Sequence, residues 1–337
     1  MSSINTILAA SGTVNGADAL KLAAIREVYA MEIEFQAMPL MHFFRFATYR
    51  EELGTQAGLT INIPTYKNAG IGSKLTETDR IATKGMSIYN KTVTVTEWAD
   101  AYAFTELALQ AAFTNVMADA VTHLARSYAL TMDCYLRDVA MAGATIEGVT
   151  TPVIYGRANS AAAKIATRSA ITAASPLSTA TIKDGLELLA TNNVPRFEAS
   201  YFICACHPHQ SRALRDDVYW IDVSKYAAPD QMLTGEIGKI DNVRFIETTL
   251  MPNGAVTSTD LAYKAALVHG ASGAPASVDV YQAILMGENY YGLAVALPVE
   301  LRDDGVDDFG RNHAVAWYSI FGAAVLNPEN AVIIETN

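Results

Sequence analysis

Residues 113–142 read FTNVMADAVTHLARSYALTMDCYLRDVAMA. Apolar side chains recur here at steps of three or four residues, which is the periodicity of an amphipathic helix; they are Phe113, Met117, Ala120, Leu124, Tyr128, Met132, Tyr135 and Val139. Gly143 is a natural helix stop. A helix of about thirty residues is about 45 Å long, more than a compact domain usually needs. Because the apolar stripe is wide and irregular, it favours packing across a sheet over a coiled coil.

Upstream of this helix, the sequence predicts a second helix and two paired strands. Residues 17–36 have apolar side chains at helical spacing. Residues 59–63 and 87–98 alternate between apolar and polar side chains, as strands do, and we expect them to pair. The long segment between them, 67–85, is far longer than a hairpin turn. It is either a disordered surface loop or an extended arm that becomes ordered on a neighbouring molecule.

Downstream, the pattern changes to a mixture of helices and strands. Residues 150–178 are rich in Ala, Ser and Thr, so we predict a loosely ordered connection and a domain boundary there. Beyond it we predict helices over 178–190 and 210–216, and strands over 201–206, 262–269, 278–285, 293–301 and 313–326. The fold class predicted for the whole chain is α+β.

Composition and charge exclude several classes of protein. The chain has 337 residues, of which 51% are hydrophobic and 18% charged, and its net charge is −11. This composition indicates that more surface than usual is buried, and subunit contacts would bury it. The acidic balance argues against avid binding to nucleic acid. Without a long apolar run or a secretory signal, we expect a soluble protein that is made in the cytosol.

The most suggestive site for chemistry is the segment Cys204-Ala205-Cys206-His207-Pro208-His209, which holds four potential zinc ligands. A tetrahedral zinc site usually draws its ligands from two segments, and the sequence offers no second pair. With Cys134 the cysteines number three, too few and too badly spaced for a disulfide framework. We therefore expect reduced thiols buried in a core strand, followed by a His-Pro turn that starts a helix, and no metal.

Other candidate sites are weaker. The acidic run at Asp303, Asp304, Asp307 and Asp308 lacks the register of an EF-hand, so we predict a solvated turn between two strands. The segment Gly235-Glu236-Ile237-Gly238 lacks the third glycine of a dinucleotide fingerprint. Four isolated histidines favour structural, hydrogen-bonded roles; they are His42, His123, His269 and His313. With no recognisable catalytic motif, the sequence predicts a protein that is not an enzyme and that has no cofactor.

Several short motifs together resemble one family. They are Phe202-Ile203 with His207-Pro208-x-Gln210 and Leu214, Leu233-x-Gly235-Glu236-Ile237-Gly238, Val243-Arg244-Phe245-Ile246-Glu247-Thr248, Asp308-x-Gly310-Arg311, Ala316-Trp317-Tyr318 and Gly322-Ala323-x-Val325-Leu326. In order and spacing they resemble the major capsid proteins of short-tailed bacteriophages. The resemblance extends from about Leu20 to the C-terminus.

The resemblance implies the shell fold that tailed-phage capsids share with encapsulin compartments. It implies an N-terminal arm (1–58), an extended loop (59–100), a peripheral domain with a spine helix (101–177), an axial domain (178–260) and C-terminal strands that complete both domains (261–337). The implied function is a major capsid subunit that self-assembles into hexamers and pentamers of an icosahedral shell.

The resemblance also implies the setting in which the chain acts. The shell encloses DNA without sequence-specific binding, and portal, scaffolding or decoration proteins are further partners, with no membrane partner. The protein resides in the virion after assembly in the host bacterial cytoplasm. Two alternatives stay open: an encapsulin-like nanocompartment shell, and a metal-dependent enzyme that uses Cys204, Cys206, His207 and His209.

Overall fold

The structure is a computed structural model that describes residues 41–50, 58–66, 74, 88–107, 116–146, 148–158, 163–217, 239–252, 278–304 and 311–337. The α-helices in this part of the chain are α1 Val116–Ala142, α2 Thr179–Thr191 and α3 Pro208–Arg215. The strands are β1 Thr48–Arg50, β2 Thr60–Tyr66, β3 Ile88–Thr94, β4 Thr96–Thr105, β5 Thr145–Ile146, β6 Val149–Thr150, β7 Val153–Tyr155, β8 Phe202–Cys206, β9 Lys239–Ile240, β10 Val243–Glu247, β11 Tyr281–Met286, β12 Tyr291–Asp303, β13 Asn312–Val325 and β14 Ala331–Thr336.

A four-stranded sheet in the order β1-β12-β13-β4 packs against the long helix α1. Successive residues of a strand point to opposite faces, so the larger apolar side chains of β13 lie on the face that meets the helix. Trp317 and Phe321 from this face join Leu124, Met132 and Leu136 of α1 in one core, where all five are almost fully buried. Each such side chain contributes roughly 2 kcal/mol of hydrophobic stabilisation.

A six-stranded sheet in the order β7-β14-β11-β8-β10-β9 forms the second layer. Its central strand β8 is buried on both faces, which explains its continuous apolar sequence. Ile203 and Ala205 point into the core that contains α1. Phe202, Cys204 and Cys206 point into a separate core with residues of α2 and α3. The strand therefore lies between two hydrophobic layers.

Strands β2 and β3 form an antiparallel hairpin in register from Thr60 opposite Thr94 to Tyr66 opposite Ile88. At the base of this hairpin, Ile61 and Val93 pack with Val95 on Ala294 and Leu326 in a third small core. The hairpin is thus fixed to β12 and to the end of β13. Except for Lys74, the segment 67–85 between its strands lies outside the described residues.

Gly322 of β13 allows the backbone that connects β3 to β4 to pass close to β13. A Cβ atom at Gly322 would lie 2.0 Å from the carbonyl oxygen of Thr94 and 2.9 Å from the Cα of Val95. Both contacts are to backbone, which cannot move without shifting the hairpin.

We expect Gly322→Ala to lower the free energy of unfolding by about 1–3 kcal/mol, because the added methyl group overpacks this junction. Chemical denaturation of the unassembled subunit measures the loss. Gly292→Ala is the matched control, since its Cβ would meet only the Leu326 side chain, at 3.0 Å or more. Equal losses in the two variants would contradict this account of Gly322.

The structure confirms most of the predicted elements. The long helix and the pairing of the two upstream strands are confirmed, as are α2, α3 and β8. The segments 278–285, 293–301 and 313–326 correspond to β11, β12 and β13. The predicted helix 17–36 and strand 262–269 lie outside the described residues.

Two predictions about local structure are wrong. The strand predicted over 87–98 is divided at Val95, where the chain leaves the hairpin as β3 and joins the four-stranded sheet as β4. The alternation continues through the break, so the break cannot be predicted from the pattern. The described parts of 150–178 are also not loosely ordered. Val153–Tyr155 pairs with β14, and Arg168 forms a buried ion pair with Glu335.

Candidate assembly surfaces

The four potential zinc ligands of the segment 204–209 have separate structural roles. Cys204 and Cys206 are fully buried in the core beneath α2 and α3. Burial raises the pKa of the Cys204 thiol well above its ordinary value and that of Cys206 to about 12. Burial thus disfavours the thiolate form that zinc would require. The prediction of buried core thiols is confirmed.

The histidines of this segment belong to the start of α3. The Nδ1 atom of His207 accepts a hydrogen bond from the His209 backbone N–H at 3.1 Å. The His207 backbone N–H in turn donates to the Gln210 side chain at 3.2 Å. With Pro208 at the first helical turn, this is a capping box, and it confirms the predicted His-Pro turn. His209 stacks on Tyr281 with ring centroids 4.4 Å apart.

The other candidate residues are also far from forming a common site. His313 Nε2 lies 3.1 Å from a carboxylate oxygen of Glu106, and the ring of His123 contacts Tyr102. Asp303 ends β12, while 305–310 lies outside the described residues. So do Gly235, Gly238 and His269. Across the described residues, no group of three or more His, Cys, Asp and Glu side chains is arranged to hold a metal ion.

A groove of about 340 Å³ lies between β7 and α2. Apolar residues line most of it, and the acidic residue Asp184 lies beside two basic side chains. Its carboxylate accepts two hydrogen bonds from Arg157, at 2.9 and 2.8 Å, and lies 3.0 Å from Lys164 Nζ. These two basic side chains hold the Asp184 carboxylate in place.

The residues that attach the segment at 41–43 to α1 were not predicted from the sequence. Oδ1 of the buried Asp133 accepts hydrogen bonds from the backbone N–H groups of His42 at 3.0 Å and Phe43 at 2.7 Å. Tyr291 Oη donates to the Phe43 carbonyl at 2.5 Å. The two backbone partners of Asp133 lie 91 and 90 positions away, so no local pattern marks this anchor. The chain that follows residue 40 is therefore fixed on α1.

Asp133→Ala is expected to lower the free energy of unfolding by about 1–3 kcal/mol, because two backbone donors lose their acceptor. Asp133→Asn keeps an acceptor oxygen and is the control. Desolvation raises the pKa of Asp133, so the folded state binds a proton more readily than the unfolded state does. The contribution of Asp133 to stability is therefore largest at acidic pH. It declines as the pH rises from the pKa of Asp133 in the unfolded chain towards its raised pKa in the folded state.

Denaturation curves of wild type and Asp133→Asn between pH 4 and pH 7 test the direction of this pH dependence. As the pH rises, we expect the free energy of unfolding of wild type to fall relative to that of Asp133→Asn. A shift in favour of wild type would contradict a raised pKa for Asp133.

The described residues contain no helix that is long and apolar enough to span a membrane. The strand β4 forms one edge of the four-stranded sheet. Leu59, just before β2, and Leu107, just after β4, are the most exposed large apolar side chains, at 73% and 78%.

A protein-family model described as phage capsid protein matches residues 89–334. The chain belongs to the phage capsid protein family. The match includes the helix α1 and both large sheets, except for β1 and the last residues of β14. It favours the phage capsid over the compartment and the metal-dependent enzyme that the sequence had left open. A search of curated protein sequences gave no significant match.

Solved capsid structures share the fold over most of their length. The chain in the cyanophage Pam1 capsid asymmetric unit is 18% identical, with a TM-score of 0.70 over 87% of this chain and 88% of that one. The capsid of Ralstonia phage GP4 is 14% identical, with a TM-score of 0.62 over 86% and 87%. The acidic stable capsid of Helicobacter pylori bacteriophage KHP30 is 14% identical, with a TM-score of 0.62 over 88% and 91%. The predicted α+β capsid fold is confirmed.

Proposed function

We propose that this chain is the major capsid subunit of a tailed bacteriophage and that it self-assembles into an icosahedral shell around the phage DNA. The observation that carries the proposal is the family match over residues 89–334. The shared fold of solved phage capsids over 87% of the chain supports it. The protein is a structural component of the virion.

We propose the same division of the chain that the resemblance implied. Residues 1–58 are an N-terminal arm, 59–100 an extended loop, 101–177 a peripheral domain with α1 as its spine helix, 178–260 an axial domain, and 261–337 the strands that complete both. Support comes from strand order. In the six-stranded sheet, β8 lies between β10, which is also from the axial segment, and β11 from the C-terminal segment. β11 in turn lies beside β14, also from the C-terminal segment.

Shell assembly requires each subunit to present different surfaces to different neighbours. Head-to-tail contacts between unlike surfaces close into rings, and we propose hexamers and pentamers that tile the shell. Each contact is weak by itself, and the stability of the lattice depends on subunit concentration. Assembly takes place in the host bacterial cytoplasm, with portal, scaffolding or decoration proteins as further partners.

The shell encloses DNA without gripping it. A chain with a net charge of −11 repels phosphate on average. A wall of this charge leaves the genome free to be packed and released. Binding of DNA by the unassembled subunit is therefore expected to be weak.

Deletion of residues 67–85 tests where assembly resides. Joining the strands of the hairpin β2–β3 with a short turn removes the proposed loop tip and leaves the described cores intact. We expect a folded subunit that forms no shells. Circular dichroism and denaturation report folding, while sedimentation and electron microscopy report assembly. A deletion variant that assembles with wild-type yield would remove this loop from the account of assembly.

A further inference from the structure

Two short connections carry the chain between the two large sheets. Residues 287–290 lead from β11 in the six-stranded sheet to β12 in the four-stranded sheet, and residues 326–330 lead back from β13 to β14. Hydrogen bonds join the two connections. Asn327 Nδ2 donates to the Asn289 carbonyl at 2.9 Å, and the Asn327 backbone N–H donates to the Tyr290 carbonyl at 3.1 Å. The two connections therefore form one unit, the crossover.

The hairpin β2–β3 is attached to the crossover at two points. The first is apolar, since Ile61 and Val93 pack with Leu326 in the third core. The second is polar, since Lys91 Nζ donates to Asn327 Oδ1 at 2.6 Å. Lys91 lies on the same face of β3 as Val93 and is about 7 Å nearer to the far end of the hairpin. Because an apolar contact is non-directional and a hydrogen bond is directional, the second point fixes the direction in which the hairpin leaves the body.

A buried lysine is unfavourable for stability, so its presence at this position requires a reason. Lys91 is 6% exposed, whereas its neighbours in the strand, Asn90 and Thr92, are exposed. Desolvation lowers the pKa of Lys91, since burial disfavours its charged form. An apolar side chain would fill the same space without this penalty. The lysine therefore contributes a direction rather than stability.

A small tilt at the base of the hairpin produces a large displacement at its far end. From Val93 to Ile88, the first residue of β3, the strand extends over about 17 Å. A tilt of about 10° at the base moves the far end by about 3 Å, which is enough to break a hydrogen bond to a neighbouring molecule. Contacts made by the far part of the hairpin therefore depend on how its base is held.

We propose that Lys91 is a positioning residue for assembly: its bond to Asn327 ties the hairpin β2–β3 to the crossover and fixes the direction in which the hairpin meets a second copy of this chain. This role rests on the proposed capsid function and adds to it the residue that orients the loop. Since the crossover joins the two sheets, the direction of the hairpin is set relative to both of them.

Lys91→Met in the full-length chain tests this role, because it removes the amine and keeps a side chain of similar length. We expect the variant to be at least as stable as wild type in urea denaturation, since burial of the amine is unfavourable. We expect it to need at least about tenfold more subunit to form shells, which corresponds to the loss of about one hydrogen bond per contact. Sedimentation over a range of subunit concentrations measures this threshold.

Thr48→Val is the matched control at the same crossover. From β1, Thr48 Oγ1 donates to Asn289 Oδ1 at 3.0 Å, so the variant removes one side-chain hydrogen bond to the crossover and leaves the hairpin untouched. We expect it to assemble at the wild-type threshold. Equal increases of the threshold in Thr48→Val and Lys91→Met would show that any lost bond at the crossover weakens assembly, and would rule out a specific role for Lys91.

Distances between two spin labels report the direction of the hairpin in the unassembled subunit. Labels at Asn90→Cys on β3 and Ala190→Cys on α2 occupy two exposed positions. A Cys134→Ser background removes the half-buried cysteine, and the other two cysteines are buried. We expect the distance distribution to broaden or shift by about 3 Å or more when Lys91→Met is added.

The outcomes separate this role from the proposed function. A Lys91→Met chain that assembles like wild type, or that keeps the wild-type distance distribution, would overturn the role of Lys91 and leave the capsid function standing. A loss of stability that accounts for the loss of assembly would mean that Lys91 only supports the fold, and would overturn it as well. A wild-type chain that forms no shell at any concentration would overturn this role and the proposed function together.

Discussion

Arg168→Met is expected to lower the free energy of unfolding by about 3–5 kcal/mol, because it leaves a buried carboxylate without its partner. Glu335 is 0% exposed and Arg168 is 5% exposed. Arg168 Nε donates to Glu335 Oε2 at 2.6 Å, and a second bond joins Nη2 to Oε1. Gln282 Nε2 also donates to Oε1, at 2.8 Å. The hydrogen bond to Glu335 raises the pKa of Arg168, so the guanidinium stays charged.

The double variant Arg168→Met/Glu335→Gln is the control for this prediction. It removes both charges and keeps a side-chain oxygen as acceptor for Gln282. Since a buried ion pair adds little net stability over a well-packed neutral replacement, we expect the double variant to recover most of the loss. Urea denaturation of the unassembled subunit measures both variants. A single variant as stable as wild type would contradict the described pairing.

Trp317→Ala is expected to cost about 3–5 kcal/mol, because it leaves a large cavity where the four-stranded sheet meets α1. Trp317 is 1% exposed, and its ring meets Tyr128 edge-on at a centroid distance of 5.3 Å. Its Nε1 donates to Ser127 Oγ at 3.4 Å, and Ser127 in turn donates to Asp100 of β4. The tryptophan thus joins α1 to two neighbouring strands.

Tyr318→Ala is the control for Trp317→Ala, because these adjacent residues of β13 point to opposite faces of the sheet. Tyr318 is the next residue of β13 and points to the opposite face, where the guanidinium of Arg302 lies 3.8 Å from its ring centroid. The contact is half-buried and outside the main core, so the expected loss is only about 1 kcal/mol. Thermal denaturation of the two variants in parallel measures the difference. Equal losses would contradict the assignment of faces in β13.

Some parts of the fold could be predicted from the sequence. The long helix was predictable because its apolar stripe continues over the 27 residues of α1. β8 was predictable because a strand buried on both faces has an uninterrupted apolar sequence. His207 and Pro208 marked the start of α3, since a cap followed by proline is a local signal. In each case the information lies within one short segment.

The remaining features depend on residues that are distant in sequence. Arg168 meets Glu335 across 167 positions, and Lys91 Nζ meets Asn327 Oδ1 across 236. No local pattern predicts such pairs. The three residues of β7 lie in a segment rich in Ala, Ser and Thr, and only pairing with β14 makes them a strand.

The central claim is that this chain builds a shell, and electron microscopy of the purified full-length protein tests it most directly. Particles are to be imaged over a range of subunit concentrations, with sedimentation to measure the assembled fraction. We predict closed icosahedral shells built from pentamers and hexamers, above a threshold concentration. A folded chain that stays a small monomer or dimer at every concentration would contradict the claim.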